Sequence, residues 1–201
     1  MNYQLNISIS QAGLQQILSS GQSVVITNAA TGPGGLPVAW VAFQPFQSNV
    51  VIWNPGEFSV YASTSPVQPG AQIMVITQQS ARLGSTYTLD SRMMFSEGPG
   101  GPANLATILN SAGTQMTVGL QQSANVNGNQ VSGPVSAVVL PQQSQNGFAP
   151  GNTPTIFVAL ARSGTVLSQI PGNALRVPLS NQRPTAEVVY NDSTGAFELR
   201  G

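Results

Sequence analysis

The sequence predicts a mainly β protein, an antiparallel β-sandwich or partly open barrel of about ten to twelve short strands with one or two short helices. Two observations predict this class. Apolar and polar residues alternate with the period of two that is typical of strands with one buried face. Turn signals rich in Gly, Pro and Asn recur about every eight to twelve residues, which favours a sandwich over βαβ units.

The N-terminal region is predicted to form a strand, a helix and a second strand. Apolar residues at every second position of 3–9 predict a strand with one buried face. Ser10 is expected to cap a helix of about two to three turns, and Gly21 suits its C-terminal end. Residues 24–26 predict the second strand, and a loop rich in Gly and Pro is expected at 31–35.

The stretch 38–63 is predicted to form the centre of the fold. It holds both tryptophans and about half of the aromatic residues, whose large apolar areas make the greatest contribution to burial. It divides into three predicted strands, near 38–43, 50–53 and 58–62, because the segments between them contain Pro.

The rest of the chain predicts a series of short strands. Between them, turns are expected at 82–85 and 191–195, an Asn-Gly hairpin at Asn127 and Gly128, and a long Gln-rich surface loop at 141–154. The predicted strands are 73–77, 87–95, 116–120, 135–140, 155–161, 166–170, 175–179, 186–190 and 196–199.

A second short helix is expected at 103–110, after a loop at 98–102. It shares a Leu-x-x-Ile-Leu pattern with the first predicted helix, and in both places Ser and Gly follow. A single β-sandwich domain over 1–201 is the main interpretation, and this match suggests the alternative of two similar halves, 1–97 and 103–201.

Charge is unusually scarce. Charged residues make up 6% of the chain, six arginines balance six carboxylates, and there is no lysine or histidine. Nucleic acid binding is therefore excluded, because six scattered cations cannot neutralise a phosphate backbone. A surface without net charge favours self-association, so a homo-oligomer is expected.

The sequence does not predict an enzyme. General bases are most often His, and nucleophilic Ser or Cys needs a basic partner, yet the chain has no His, Lys or Cys. A carboxylate pair of glycosidase type is the remaining catalytic alternative, although turn capping and arginine pairing explain the six acids more simply. No metal site and no cofactor are expected.

The N-terminus has neither a basic segment nor a continuous apolar segment, so no signal peptide is predicted. No apolar run is long enough for a transmembrane helix. These features predict a chain that stays in the cytoplasm or is released without a cleaved signal.

The aromatic stretch and the Gln-rich loop provide the candidate ligand residues. An aromatic face combined with amide side chains is suited to neutral sugars. The candidates are Phe46, Gln47, Asn49, Trp53, Asn54 and Phe148. Phe46 and Phe148 are expected to be exposed because they lie in predicted loops, whereas Trp40, Phe43 and Trp53 have the competing interpretation of core residues.

Three functions follow from these features. The main expectation is a non-enzymatic binding protein of lectin type, which binds a neutral glycan or similar surface and self-associates. A structural subunit that assembles into an oligomer or filament is the first alternative. A membrane-active, toxin-like protein whose aromatic loops contact a lipid surface is the second.

Overall fold

The computed structural model describes residues 1–28 and 35–200, which form seventeen β-strands and one α-helix. The helix, α1, spans Gln11–Ser19. The strands are β1 (Tyr3–Ser8), β2 (Ser23–Thr27), β3 (Val41–Phe43), β4 (Ser48–Trp53), β5 (Phe58–Ser63), β6 (Thr77–Ala81), β7 (Ser85–Leu89), β8 (Phe95–Pro99), β9 (Ala106–Asn110), β10 (Met116–Val126), β11 (Asn129–Pro134), β12 (Val138–Leu140), β13 (Gln145–Phe148), β14 (Thr155–Ala159), β15 (Leu175–Arg176), β16 (Thr185–Asn191) and β17 (Ala196–Leu199). The predicted loop at 31–35 lies, apart from Gly35, outside the described residues.

The strands form three sheets, and the predicted mainly β class is confirmed. The main sheet has nine strands in the order β17-β16-β1-β4-β10-β5-β6, with β11 and β12 also paired to β10. Two four-stranded sheets have the orders β13-β9-β7-β8 and β15-β14-β2-β3. Pairing is antiparallel except between β1 and β16 and between β7 and β9.

One core joins the three sheets, as in a β-sandwich. Alternate residues of β1, Tyr3, Leu5 and Ile7, are buried, which is the arrangement that their spacing predicts. They share a hydrophobic cluster with residues of the two smaller sheets, such as Ile26 of β2 and Leu89 of β7. Apolar burial between the sheets therefore provides the main stabilisation of the fold.

The other face of the main sheet is only partly covered. Tyr61 of β5 packs there against Ile73, Ala137 and Val166, which come from connecting segments. Its hydroxyl donates a hydrogen bond of 2.7 Å to the carbonyl oxygen of Ser136, and burial raises the pKa of Tyr61 well above its ordinary value. Further along β5, this face stays open and carries polar side chains.

The predicted first helix is present. Ser10 has an extended backbone, and its side-chain oxygen accepts a hydrogen bond from the backbone N–H of Gly13 at 3.0 Å. Gly21 follows the helix with a φ of 68°, a conformation that favours glycine. Ile17 is buried, so the apolar face of α1 docks on the core.

The predicted second helix is wrong, because Ala106–Asn110 forms β9 in the centre of a four-stranded sheet. The β-branched residues Thr107 and Ile108 suit a strand, and pairing with β7 and β13 satisfies the backbone on both sides. An apolar pattern of five residues does not distinguish a helix from a strand. Because 106–110 is a strand, the two halves do not share the predicted helix. The main sheet contains strands from both halves.

Other predicted boundaries also shift. The predicted strand 87–95 is two strands with a turn between them, in which Oδ1 of Asp90 accepts hydrogen bonds from the backbone N–H groups of Arg92 and Met94. The predicted strand 73–77 begins only at Thr77, and 166–170 contributes an isolated bridge at Val166. Strands β8, β9 and β13, which the sequence pattern does not predict, contribute to the total of seventeen, against about ten to twelve expected.

Candidate functional site

The six predicted ligand residues separate into surface and core positions. Phe46 is 64% exposed, as predicted, and Gln47 is exposed beside it. Phe148 is completely buried, so the prediction that it is exposed is wrong. The predicted surface loop at 141–154 contains β13, and pairing of β13 with β9 places Phe148 in the core.

The side chains of the remaining three candidates, Trp53, Asn54 and Asn49, pack against or hydrogen-bond to other residues of the protein. Trp53 is only 2% exposed and packs edge-to-face against Trp40, with ring centroids 5.4 Å apart, so the core interpretation of Trp53 is confirmed. Asn54 is half-buried in a turn, where its side chain accepts from the N–H of Gly56 and donates to Glu57. Asn49 is 1% exposed and cannot contact a ligand directly.

Asn49 instead fixes the backbone of Phe46. The Oδ1 atom of Asn49 accepts a hydrogen bond of 2.8 Å from the N–H of Phe46, and Nδ2 donates one of 2.7 Å to the Phe46 carbonyl. Asn127, at the tip of the β10–β11 hairpin, donates to the same Oδ1 at 3.1 Å and accepts from the N–H of Val50. The exposed ring of Phe46 therefore stands on a backbone that is held in one conformation.

Phe46 forms one wall of a cleft of about 230 Å³ that we call the Phe46 cleft. Its floor is mainly apolar, and three amide side chains lie among the lining residues. The lining consists of Val41, Ala42, Phe43, Gln44, Phe46, Val126, Asn127, Asn129 and Val131. It contains no charged side chain, so the cleft offers an aromatic ring, aliphatic groups and neutral hydrogen-bonding groups to a ligand.

A second depression of about 390 Å³, which we call the Gln121 groove, lies on the open face of the main sheet. Strand pairing brings its residues together: Gln121 of β10 is opposite Ser59 of β5, which is opposite Ser80 of β6. On the other side of Gln121, Ser123 is opposite Ser132 of β11. The lining residues are Gly56, Glu57, Phe58, Ser59, Gln78, Ser80, Ala81, Gln121, Ser123, Gln130 and Ser132.

Gln121 is the buried member of this groove, with an exposed fraction of 9%. Its Nε2 atom donates hydrogen bonds of 2.7 Å to Oε1 of Gln78 and to Oγ of Ser132. Its Oε1 atom is buried and has no hydrogen-bond partner within residues 1–28 and 35–200. The amide is therefore held by its nitrogen, while its oxygen remains a free acceptor.

The Gln121 groove was not predicted from the sequence, although a signal for it is present. Outward positions of β5, β6 and β10 carry Ser or Gln at Ser59, Gln78, Ser80, Gln121 and Ser123, where Lys, Glu or Thr is equally suited to an exposed strand. The spacing within each strand predicts the exposed face. Only the pairing of strands that are distant in the sequence places these residues in one groove.

A third depression, of about 540 Å³, contains the ion pair of Arg82 and Glu97. The guanidinium Nε of Arg82 is 2.7 Å from Oε1 of Glu97, which also accepts a 2.7 Å hydrogen bond from the Ser85 hydroxyl. The hydrogen bond from Ser85, followed by that from Arg82, lowers the pKa of Glu97. A carboxyl held in its ionised form is poorly suited to act as a general acid.

Neither a metal-binding cluster nor a membrane-spanning helix is found in residues 1–28 and 35–200. Among the described residues, no group of three or more His, Cys, Asp or Glu side chains is placed to hold a metal ion. The single helix found in the described part of the chain is too short to cross a membrane. Comparison with known proteins finds no family model, no curated protein and no solved structure that matches the chain.

Proposed function

We propose that the protein is a non-enzymatic binding protein of lectin type and that the Phe46 cleft is its site for a neutral glycan. The observation that carries this proposal is the exposed Phe46 ring, which stands on a fixed backbone beside an uncharged cleft. The apolar face of a sugar ring packs on an aromatic side chain, and the ring hydroxyls bond to amides at its edge.

Two of the three amide groups at the cleft, those of Asn129 and Gln44, have hydrogen-bonding capacity left for such bonds, whereas Asn127 already bonds to Asn49 and Val50. No side-chain hydrogen bond of Asn129 exists within the described residues, and Oε1 of Gln44 likewise accepts none there. Because Asn49 and Asn127 already order the Phe46 loop, binding requires little further ordering of the backbone. The volume of about 230 Å³ is below the range for drug-sized ligands, which favours a single sugar ring.

The proposal is tested by titrating the protein with glucose, galactose, mannose and N-acetylglucosamine, with isothermal calorimetry and protein NMR as measurements. For a sugar that binds, Phe46→Ala is expected to weaken binding about tenfold, whereas Phe46→Tyr retains it because the ring remains. Met94→Ala removes an exposed apolar side chain elsewhere and serves as the matched control.

No binding to any of the four sugars contradicts the proposal, and so does equal binding by the wild type and Phe46→Ala. If the wild type co-sediments with phosphatidylcholine vesicles and Phe46→Ala does not, the result supports the membrane-active alternative instead.

A second candidate function is self-assembly, and strand β6 favours it. This strand is at the end of the main sheet and has the sequence Thr-Gln-Gln-Ser-Ala, without a charge or proline. Unprotected edge strands readily pair with a second chain, and Lys or Pro usually prevents this. Light scattering tests the idea: Gln79→Lys is expected to dissociate an oligomer formed through β6, and a wild type that stays monomeric at high concentration excludes it.

A further inference from the structure

We infer that the Gln121 groove is a second ligand site, which binds a neutral oligosaccharide through hydrogen bonds alone. This inference extends the proposed glycan-binding function to a separate face of the molecule. It rests on the groove itself, so it can be true or false independently of the Phe46 cleft.

The unpartnered oxygen of Gln121 is the first observation. A buried amide oxygen loses its hydrogen bonds to bulk water on folding, and this loss is unfavourable unless another donor replaces them. Nε2 of the same amide is held by Gln78 and Ser132, so the amide cannot turn to satisfy its oxygen without breaking two bonds. Gln121 thus contributes to the lining of the groove an amide that is fixed in place and whose buried oxygen still lacks a donor.

The composition of the groove defines the class of ligand. Seven of its eleven lining residues are Ser or Gln, which supply hydroxyl and amide groups that both donate and accept. Glu57 is the one charged residue among the lining residues, so phosphates, sulfates and carboxylates have no cation to pair with. The groove thus suits an uncharged ligand with many hydroxyl groups.

A peptide ligand is less well matched. The groove lies on the face of the sheet, where the backbone groups of β5 and β10 are already paired with neighbouring strands. A peptide strand added at the free edge of β6 would extend the sheet beside the groove, and it would not occupy the face on which the groove lies. Phe58 is only 9% exposed, so the groove offers little apolar surface to anchor a side chain.

The two sites lie on opposite faces of the β10–β11 hairpin. Gln130 and Ser132 line the Gln121 groove, whereas Asn129 and Val131 line the Phe46 cleft. Successive residues of a strand point to opposite sides, so one sugar ring cannot contact both sets. Each chain therefore has two independent sites, and the groove, at about 390 Å³, accommodates the longer ligand.

The experiment uses the Phe46→Ala protein, in which the cleft is disabled, and titrates it with maltohexaose, cellohexaose and mannohexaose. At least one of these is expected to bind and to shift the side-chain NH2 resonances of Gln121 and Gln78 in the NMR spectrum. Gln121→Leu is similar in volume but removes the amide oxygen together with the Nε2 donor to Gln78 and Ser132, and an about tenfold weaker association is expected. A thermal unfolding curve measured alongside establishes that the variant is folded.

A second variant tests the groove without changing its buried residue. Ser80 is exposed and lines the groove, so Ser80→Tyr is expected to obstruct it and to abolish binding. Ser96→Tyr places the same ring on an exposed strand position outside the groove and is expected to have no effect.

The inference is overturned if none of the three hexasaccharides binds, or if Gln121→Leu and Ser80→Tyr both bind as the parent does. Binding of a glutamine-rich peptide without any hexasaccharide overturns the assignment to glycans. Loss of monosaccharide binding in Phe46→Ala with retained hexasaccharide binding supports both sites. Hexasaccharide binding in a protein whose cleft binds no sugar supports the groove and contradicts the cleft.

Discussion

Replacing Asn49 by Ala should destabilise the fold far more than replacing Asn54, although both were predicted as ligand residues of the same chemical type. The side chain of Asn49 takes part in four hydrogen bonds, with the N–H and carbonyl of Phe46, the carbonyl of Ile7 and Nδ2 of Asn127. Each contributes about 1 kcal/mol net, and the buried partners lose part of their solvation when Asn49 is removed.

The expected loss in the free energy of unfolding is therefore about 2–4 kcal/mol for Asn49→Ala. Asn54→Ala removes two bonds, to Gly56 and Glu57, at an exposed turn where water replaces them, so a loss below about 1 kcal/mol is expected. Equilibrium unfolding in urea measures both, with the slope as a check that the transition remains two-state. Losses that agree within about 0.5 kcal/mol would refute the role assigned to Asn49.

Two further predictions concern packing and pH. A Cβ atom at Gly133 would overlap the carbonyl oxygen of Trp40, so Gly133→Ala should destabilise the protein by about 2 kcal/mol or more, whereas Gly172→Ala, with open space around it, should change the melting temperature little. A Gly133→Ala protein that melts at the same temperature as the wild type would contradict the close approach of Gly133 to the Trp40 carbonyl. The hydrogen bonds from Ser85 and Arg82 lower the pKa of Glu97 in the folded state. The ionised carboxylate therefore stabilises the folded protein at pH values above the ordinary carboxyl pKa, and this stabilisation is lost as the pH falls through the lowered pKa. A carboxyl titration by NMR should show this lowered pKa, and Ser85→Ala should raise it towards the ordinary value; an unchanged titration would show that the hydrogen bond is absent.

Local signals in the sequence were sufficient for several elements. The alternation in β1, the Ser10 cap of α1 and the Asn127-Gly128 hairpin turn depend on neighbouring residues only, and the structure contains all three. Asn127 and Gly128 have φ values of 52° and 88°, which a two-residue turn of this type requires. Such elements are predictable because their physical cause lies within a few residues.

The errors have a common cause in long-range pairing. Residues 106–110 form a strand because β7 and β13 are beside them, and Phe148 is buried because its short strand completes that sheet. Neither partner can be deduced from the local pattern. The loop composition around Phe148 suggested exposure, but hydrogen bonding to a neighbouring strand outweighs such a preference.

The candidate sites also combine features that neighbouring residues determine with features that depend on residues far along the chain. The exposure of Phe46 followed from its Pro- and Gln-bounded loop, whereas the role of Asn49 depends on Asn127, far along the chain. The Gln121 groove depends on the order of four strands, which the sequence pattern does not specify. Residue types therefore indicated a surface rich in aromatic and amide groups, and the topology determined which residues lie together on it.

The paired tryptophans determine what optical spectroscopy of this protein reports. Trp40 and Trp53 are 0% and 2% exposed, and Trp53 Nε1 has no hydrogen-bond partner within the described residues. Their fluorescence should therefore be strongly blue-shifted in the native state and resistant to quenching by iodide or acrylamide. Neither indole lines the Phe46 cleft or the Gln121 groove. Tryptophan emission should therefore change strongly when the protein unfolds and remain unchanged when a ligand binds at either place.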